Sequence, residues 1–353
     1  MKKREMTPRD RILAAIGHQP VDALPTDFWG VAEITDALFK LFNVGDMKGL
    51  AQKLDMDKIM SVSPNLTASR NGMWDIDYIQ VPLPGGAGYY NEPARFVLGG
   101  YETIGEIEEN YIFPTTDMYD YSVIAEQCAG LEDYAIEGGY ISLTYFYTIL
   151  RGVEQMLLDF IMNPELARYI IYKLQTFSYG HVKRILEAGQ GKIHITQVTD
   201  DFASQSGLLI GADMIEDFFG DCYRKNIELA KSYGAYVFHH DDGAMTQMLP
   251  WLVDMGIEIL NPLQWRLPGW DLPALKRDYG DRICFHGGVD NQYILPFGTP
   301  EDVCSEVRYL TETLFADYTG FICAPCHNIQ AITPVENVLA LYEAARPGMK
   351  LDI

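Results

Sequence analysis

No apolar run in this chain approaches the roughly 18 residues of a membrane-spanning helix. The opening stretch MKKREMTPRD is followed by no apolar segment of the kind that marks a secretory signal. A soluble cytoplasmic protein without a membrane partner is therefore the expectation. Positive charge is also scarce. The chain has 27 Lys and Arg against 49 Asp and Glu, a formal charge of −22. A nucleic-acid partner needs a basic footprint, and none is present. Six cysteines occur, but without a signal they do not suggest a disulfide framework. Cys323 and Cys326 form a CxxC with no second CxxC, so a four-cysteine zinc site is not supported. The glycine-rich run Pro82–Gly88 lacks a phosphate-loop lysine and the dinucleotide spacing, and reads as a mobile or tightly turned loop.

What the chain does have is polarity at the ends of apolar runs. Tyr236–Gly243 reads YVFHHDDG, an apolar strand that stops at two histidines and two aspartates. Phe321–Ile329 reads FICAPCHNI and ends in Cys326 and His327. Such groups are costly to bury unless hydrogen-bonded, paired or bound to a metal. Three further runs end alike: ITQV before Thr199-Asp200-Asp201, IEIL before Asn261-Pro262-Leu263-Gln264, and ICF before His286-Gly287-Gly288-Val289-Asp290.

The chain is 353 residues long and 48% apolar, enough for a sizeable core. Helix starts are legible at Thr7-Pro8, Asn163-Pro164, Thr299-Pro300 and Thr333-Pro334, the last with a capping-box pattern through Glu336. Between helical patterns lie eight short apolar runs: Leu24–Trp29, Lys58–Val62, Ile141–Phe146, Ile193–Val198, Tyr236–His239, Ile257–Leu260, Ile283–His286 and Phe321–Ala324. Strands alternating with helices imply parallel βαβ units. Eight of them fit an α/β fold of the (β/α)8 TIM-barrel type, as a single domain over 1–353 with an irregular extension at about 63–140. A doubly wound sheet is the alternative. In a barrel, reactive groups gather at the carboxyl ends of strands.

Each polar residue has a plain reading beside a functional one. His240 and Asp242 either cap and bind backbone or hold a metal. His327 is either a helix-entry residue or a ligand, and Cys326 is the competing ligand. His239 and Asp241 alternate with His240 and Asp242, so a continuing strand would point them away. Asp200 and Asp201 fit a helix cap or a catalytic role. Trp265 and Trp270 are either loop anchors or an aromatic wall.

The segments TPRDRILAAIGHQPVDALP, LRGVEQMLLDFIMNPELA, DDFASQSGLLIG and PCHNIQAITPVENVLALYEAAR together resemble the uroporphyrinogen decarboxylase superfamily over nearly the whole chain. The resemblance implies a (β/α)8 barrel. True decarboxylases of the superfamily carry an arginine-rich segment after the opening. Here that place reads LPTDFWGVAE, Leu24–Glu33, without arginine. An octa-acid substrate needs cationic clamps, which speaks against porphyrinogen decarboxylation.

The resemblance is closer to the superfamily's zinc- and corrinoid-dependent methyltransferases. His240-Asp241-Asp242-Gly243 looks like their HxCG segment, and Pro325–Ile329 like their PGCxI segment. The implied Zn2+ ligands are His240, Asp242 and His327, with Cys326 if the register shifts by one. Oxygen and nitrogen ligands in place of thiolates favour an oxygen-bound methyl donor over thiol activation. The implied activity is O-demethylation: a methyl group passes from a methoxylated, aromatic small molecule to cob(I)alamin. No DxHxxG signature is present, so the cobalamin is expected on a separate corrinoid protein. Asp241, His239 or Asp201 would handle the proton. Gln205, Asn261, His286, Trp265 and Trp29 would bind substrate or orient ligands. A homodimer is compatible with this picture. The alternatives are methyl transfer from methylcobalamin to a thiol or other acceptor, a metal-free decarboxylase or lyase, and a non-catalytic binding protein.

Overall fold

The computed structural model describes residues 5–82 and 89–347. Seven parallel strands form one curled sheet in sequence order: β1 (Met60–Val62), β2 (Ile136–Ser142), β3 (Ile195–Thr199), β4 (Tyr236–His240), β5 (Ile259–Asn261), β6 (Cys284–Val289) and β7 (Phe321–Pro325). Their residues are buried almost throughout, as expected for parallel strands covered by helices. Helices Pro164–Gly189, Ala212–Ser232, Pro300–Leu314 and Val335–Ala345 supply apolar faces to that layer.

The run Leu24–Trp29 forms no regular strand, yet it occupies the gap between the sheet's two edges. Cys323 N donates to Pro25 O at 2.8 Å, and Asp27 N to Cys323 O at 3.1 Å. On the other side Lys58 N donates to Thr26 O at 3.1 Å. The sheet therefore curls onto itself and resembles a TIM barrel.

Other expectations need correction. The apolar run Ile141–Phe146 is divided: β2 ends at Ser142, and the rest enters helix Leu143–Arg151. Periodicity could not separate the two in so short a run. Because β2 begins at Ile136, the irregular extension ends before it. The extension holds a hairpin, Tyr78–Pro82 with Tyr89–Pro93, and the helix Ile104–Asn110. Leu83–Gly88 of the glycine-rich run lie outside the described residues. Thr7 and Thr299 cap their helices as read, the second with a full capping box. Thr333 does not: helix Val335–Ala345 starts one residue later, after Pro334, without a side-chain cap. Among the described residues no helix is long and apolar enough to cross a membrane.

Candidate metal centre

The carboxyl ends of β4 and β7 bring His240, Asp242 and His327 together. One ligand atom from each lies within 4.8 Å of the others. Asp242 Oδ2 is 3.8 Å from His240 Nε2 and 3.7 Å from His327 Nε2. Two ligands of one tetrahedral zinc stand about 3.3 Å apart, given bonds of about 2.0–2.1 Å. The two separations from Asp242 exceed that by a few tenths of an ångström. Asp242 Oδ1 is buried without a hydrogen-bond partner among the described residues. A carboxylate with one unpartnered oxygen and the other facing two imidazoles is a donor set that suits a divalent cation.

Hydrogen bonds to the backbone pin His240 and Asp242. Thr199 Oγ1 accepts from His240 N at 3.0 Å and donates to His240 O. Asp241 N donates to Asn261 O at 2.9 Å, and Asp242 N to Asp201 Oδ1 at 3.1 Å. Gly243 follows at φ +107°, with its N–H donating to Gln264 Oε1 at 2.6 Å. A Cβ there would meet Ser204 O at 2.5 Å, so only glycine lets the chain turn away behind His240 and Asp242. Burial pushes the His327 imidazole below its usual pKa, against the pull of Asp242. That keeps a nitrogen lone pair available.

Trp29 covers this group. Its ring lies 5.6 Å from that of His240 and 6.2 Å from that of His327, centroid to centroid. Its Nε1 donates to Asp27 Oδ2 at 3.1 Å. Cys326 is not in the group. Its Sγ donates to Leu263 O at 3.2 Å, and burial drives its pKa well up, so it is held as a thiol. Cys326 instead lines a neighbouring recess with Gln205, Gln264 and Trp265. Trp265 is tied to the loop by Nε1 donating to Gly288 O at 2.9 Å, and it carries the Arg266 guanidinium over its ring at 4.3 Å. Trp270 Nε1 donates to Gly243 O at 3.1 Å, an anchor rather than an open wall.

Asn261 and His286 are wholly buried beneath His240. Asn261 Oδ1 is 2.5 Å from His240 Nδ1, and Asn261 Nδ2 is 2.8 Å from His286 Nδ1. His286 Nε2 is 3.1 Å from Asp27 Oδ2. Asp27 Oδ1 accepts from Lys58 Nζ and Ile59 N, both at 2.9 Å. Burial alone would raise the Asp27 pKa. The Lys58 ammonium and the His286 hydrogen bond outweigh it and hold the carboxyl below the usual range. Neither Asp27 nor Lys58 stood out in the sequence. The one available signal was a charged residue on each of two runs read as buried strands.

His239 and Asp241 are also wholly buried, on the far side of β4. His239 Nδ1 donates to Val198 O at 2.9 Å, and burial pulls its pKa down to about 4. Asp241 Oδ1 accepts from Phe202 N at 3.1 Å, and burial raises its pKa well above the carboxylate range. Asp201 is only partly buried and adjoins Asp242. Both it and Asp242 raise the pKa of Tyr90, after burial, which places that hairpin tyrosine in the field of the site.

Asp200 caps a helix distant in sequence. Its Oδ1 accepts from Thr144 N and Thr144 Oγ1, both at 2.6 Å, at the start of Leu143–Arg151. Its Oδ2 lies 3.2 Å from Tyr223 Oη. Burial raises its pKa to about 7 despite those donors. The folded protein thus binds a proton that the unfolded chain releases near pH 4. This contribution is full below pH 4 and is lost as pH rises toward 7. Asp200→Asn keeps the contacts, its amide donating to Tyr223 Oη, and removes the titration. The melting temperature of the variant relative to wild type is expected to climb between pH 5 and pH 8. Thermal unfolding of both proteins at the two pH values measures it, and a constant difference would refute the assignment.

A family model described as "Uroporphyrinogen decarboxylase (URO-D)" matches residues 141–347, more than half of the chain. The chain belongs to the uroporphyrinogen decarboxylase family. A uroporphyrinogen decarboxylase of Dechloromonas aromatica (strain RCB) is 28% identical over 101 residues, 29% of this chain. That match spans 27% of the relative's length. A methyltransferase from Methanosarcina mazei superposes with a TM-score of 0.65 at 19% identity, covering 97% of this chain and 98% of that one. That likeness is one of fold. The uroporphyrinogen decarboxylase family match takes in β3 to β7, and so His240, Asp242 and His327.

Proposed function

We propose that this chain is a zinc-dependent methyltransferase that moves the methyl group of a methoxylated aromatic compound to cob(I)alamin on a separate corrinoid protein. It would do so as one (β/α)8 barrel domain over 1–353, the segment at Leu24–Trp29 taking the eighth strand position. The observation that carries this reading is the composition of the three-residue group: two imidazoles and a carboxylate, with the nearby Cys326 held as a thiol elsewhere. Zinc bound there would act as a Lewis acid toward the oxygen that carries the methyl group. A ligand set without thiolate favours an ether donor over a thiol acceptor, because it leaves the cation more electron-poor.

The chain's own residues then have definable tasks. Trp29 supplies an aromatic face beside His240 and His327 against which an aryl donor packs. Asp201, partly open and accepting a hydrogen bond from Asp242 N, would relay a proton taken up from solvent to the phenolate oxygen as the methyl departs. Asp241 and His239, sealed behind the strand, support the turn rather than meet substrate. Gln205 and Trp265 line the recess on the Cys326 side, where the rest of the donor would extend.

The test is direct. Purified protein is mixed with a cob(I)alamin-loaded corrinoid protein and a panel of methoxylated aromatics, methylamines and methyl thioethers. Methylcobalamin and the free phenol are expected in equal amounts with at least one methoxylated aromatic, and only when zinc is present. Methyl transfer confined to thioethers, or undiminished after complete zinc removal, would sink the reading.

A further inference from the structure

We propose that Lys58, Asp27, His286 and Asn261 form a one-directional hydrogen-bond relay that holds His240 with its proton on Nδ1 and its Nε2 lone pair aimed at Asp242 and His327. The inference rests on the metal-site reading for its purpose, but its geometry stands without an ion.

The direction follows from the charged end. Asp27 accepts from Lys58 Nζ, Ile59 N and Trp29 Nε1, a pattern for an anion. An anionic oxygen 3.1 Å from His286 Nε2 demands that this nitrogen carry the proton. With a single ring proton, held on Nε2, His286 offers a lone pair at Nδ1. The group facing it, 2.8 Å away, must be the Asn261 amino group. The same amino group lies 3.4 Å from the His286 carbonyl, an acceptor that rejects the opposite amide orientation. Asn261 Oδ1 is thereby turned to His240 Nδ1 at 2.5 Å, and an amide oxygen there requires N–H on the imidazole. The lone pair of His240 is left on Nε2, the atom 3.8 Å from Asp242 Oδ2. Reversing any one bond would set two donors or two acceptors face to face in a wholly buried place, where an unsatisfied polar group is costly.

Asn261, His286 and Asp27 are each fully buried, and the Lys58 side chain nearly so. Water cannot substitute readily for a lost partner. Gly287, at φ +102°, keeps space beside the relay, since a Cβ there would stand 3.2 Å from Asn261 Nδ2. The four are positioning residues. None belongs to the three-ligand group, and Lys58 acts through three intermediates.

The experiment has two arms. In metal-free protein labelled with 15N-histidine, long-range 1H–15N spectra report which ring nitrogen of each histidine is protonated. His240→Gln and His286→Gln identify the two signals. The expected pattern is His240 protonated on Nδ1 and His286 on Nε2. His240 protonated on Nε2 in the wild-type protein would overturn the relay. The second arm is zinc affinity by competition with a chromogenic chelator. Asn261→Leu is expected to weaken zinc 10–100-fold, as loss of a partner behind a ligating histidine does elsewhere, and Lys58→Met about tenfold, with recovery in Lys58→Arg. Ile227→Ala, a buried helix substitution away from the relay, is expected to lower the melting temperature and leave zinc affinity alone. Folded Asn261→Leu with wild-type zinc affinity would overturn the proposal. If the wild-type protein takes no zinc at all, the functional reading falls while the tautomer spectrum still decides the relay.

Discussion

His240→Ala is expected to reduce the zinc content of the purified protein from one equivalent to background. The substitution removes one of three donors and also leaves Asn261 Oδ1 facing an empty space. Loss of a partner behind a ligand typically costs 10–100-fold in affinity, so loss of the ligand itself should cost about 1,000-fold or more. His327→Ala should behave alike, because its Nε2 is the counterpart of His240 on the other side of Asp242 Oδ2. Cys326→Ser is the informative contrast. Its sulfur donates to Leu263 O and a serine hydroxyl can do the same, so zinc content should be unchanged. Elemental analysis of the three variants and of wild type, prepared without chelator, provides the measurement. Methyl transfer should fall in proportion to zinc. Equal loss of metal in Cys326→Ser and His327→Ala would show that the ligand set has been read one residue out of register.

The polar strand ends were legible because burying His and Asp beside an apolar run is costly enough to need a reason. YVFHHDDG and FICAPCHNI therefore pointed to one site before their proximity was visible, and the structure brings His240, Asp242 and His327 to within ligand distance. Most of the strands were legible as well, because fully buried parallel strands read as short apolar runs between amphipathic helices. What the sequence hid was long-range partnership. Asp27 and Lys58 sit 31 residues apart and meet only because the curled sheet closes between them. Asp200 looked like a cap for the segment after it, yet it caps Leu143–Arg151, 56 residues upstream. Local spacing can show that a carboxylate needs donors, but only the fold says whose.

Asn261 and His286 illustrate a different limit. Strand ends facing a barrel mouth suggested contact with substrate or ligands, and chemistry at the level of residue types could not choose. Their complete burial and mutual hydrogen bond place them under the site. Only with both partners of each ring known does a tautomer follow, and with it the direction of the relay.

Asp57→Asn is expected to destabilise the fold by about 3–5 kcal/mol, the usual cost of breaking a buried ion pair from one side. Asp57 is buried between two guanidinium groups, with Arg11 Nη1 on Oδ1 and Arg346 Nη2 on Oδ2. Thr26 N also donates to Oδ2, at 2.9 Å. The cluster ties the first helix and the end of the last helix to the segment that enters β1. An asparagine there would leave two buried cations with one neutral acceptor and turn an amide N–H toward one of them. Arg11 keeps Asp22 at 2.7 Å, and Arg346 keeps the carbonyl of Asp55 at 3.1 Å, so the loss is partial. With an unfolding entropy near 2.1 cal/mol/K per residue, a chain of 353 residues should lose about 4–7 °C in melting temperature. Arg168→Ala, which breaks an exposed pair with Asp217, should cost about 0–1 kcal/mol and shift the melt by about 1 °C or less. Equal shifts in the two variants would mean that the buried cluster is not a clamp. The comparison also bears on the candidate metal centre. Asp57 directly precedes Lys58, and Thr26 directly precedes Asp27, so the closure of the sheet and the charged end of the relay depend on the same two segments.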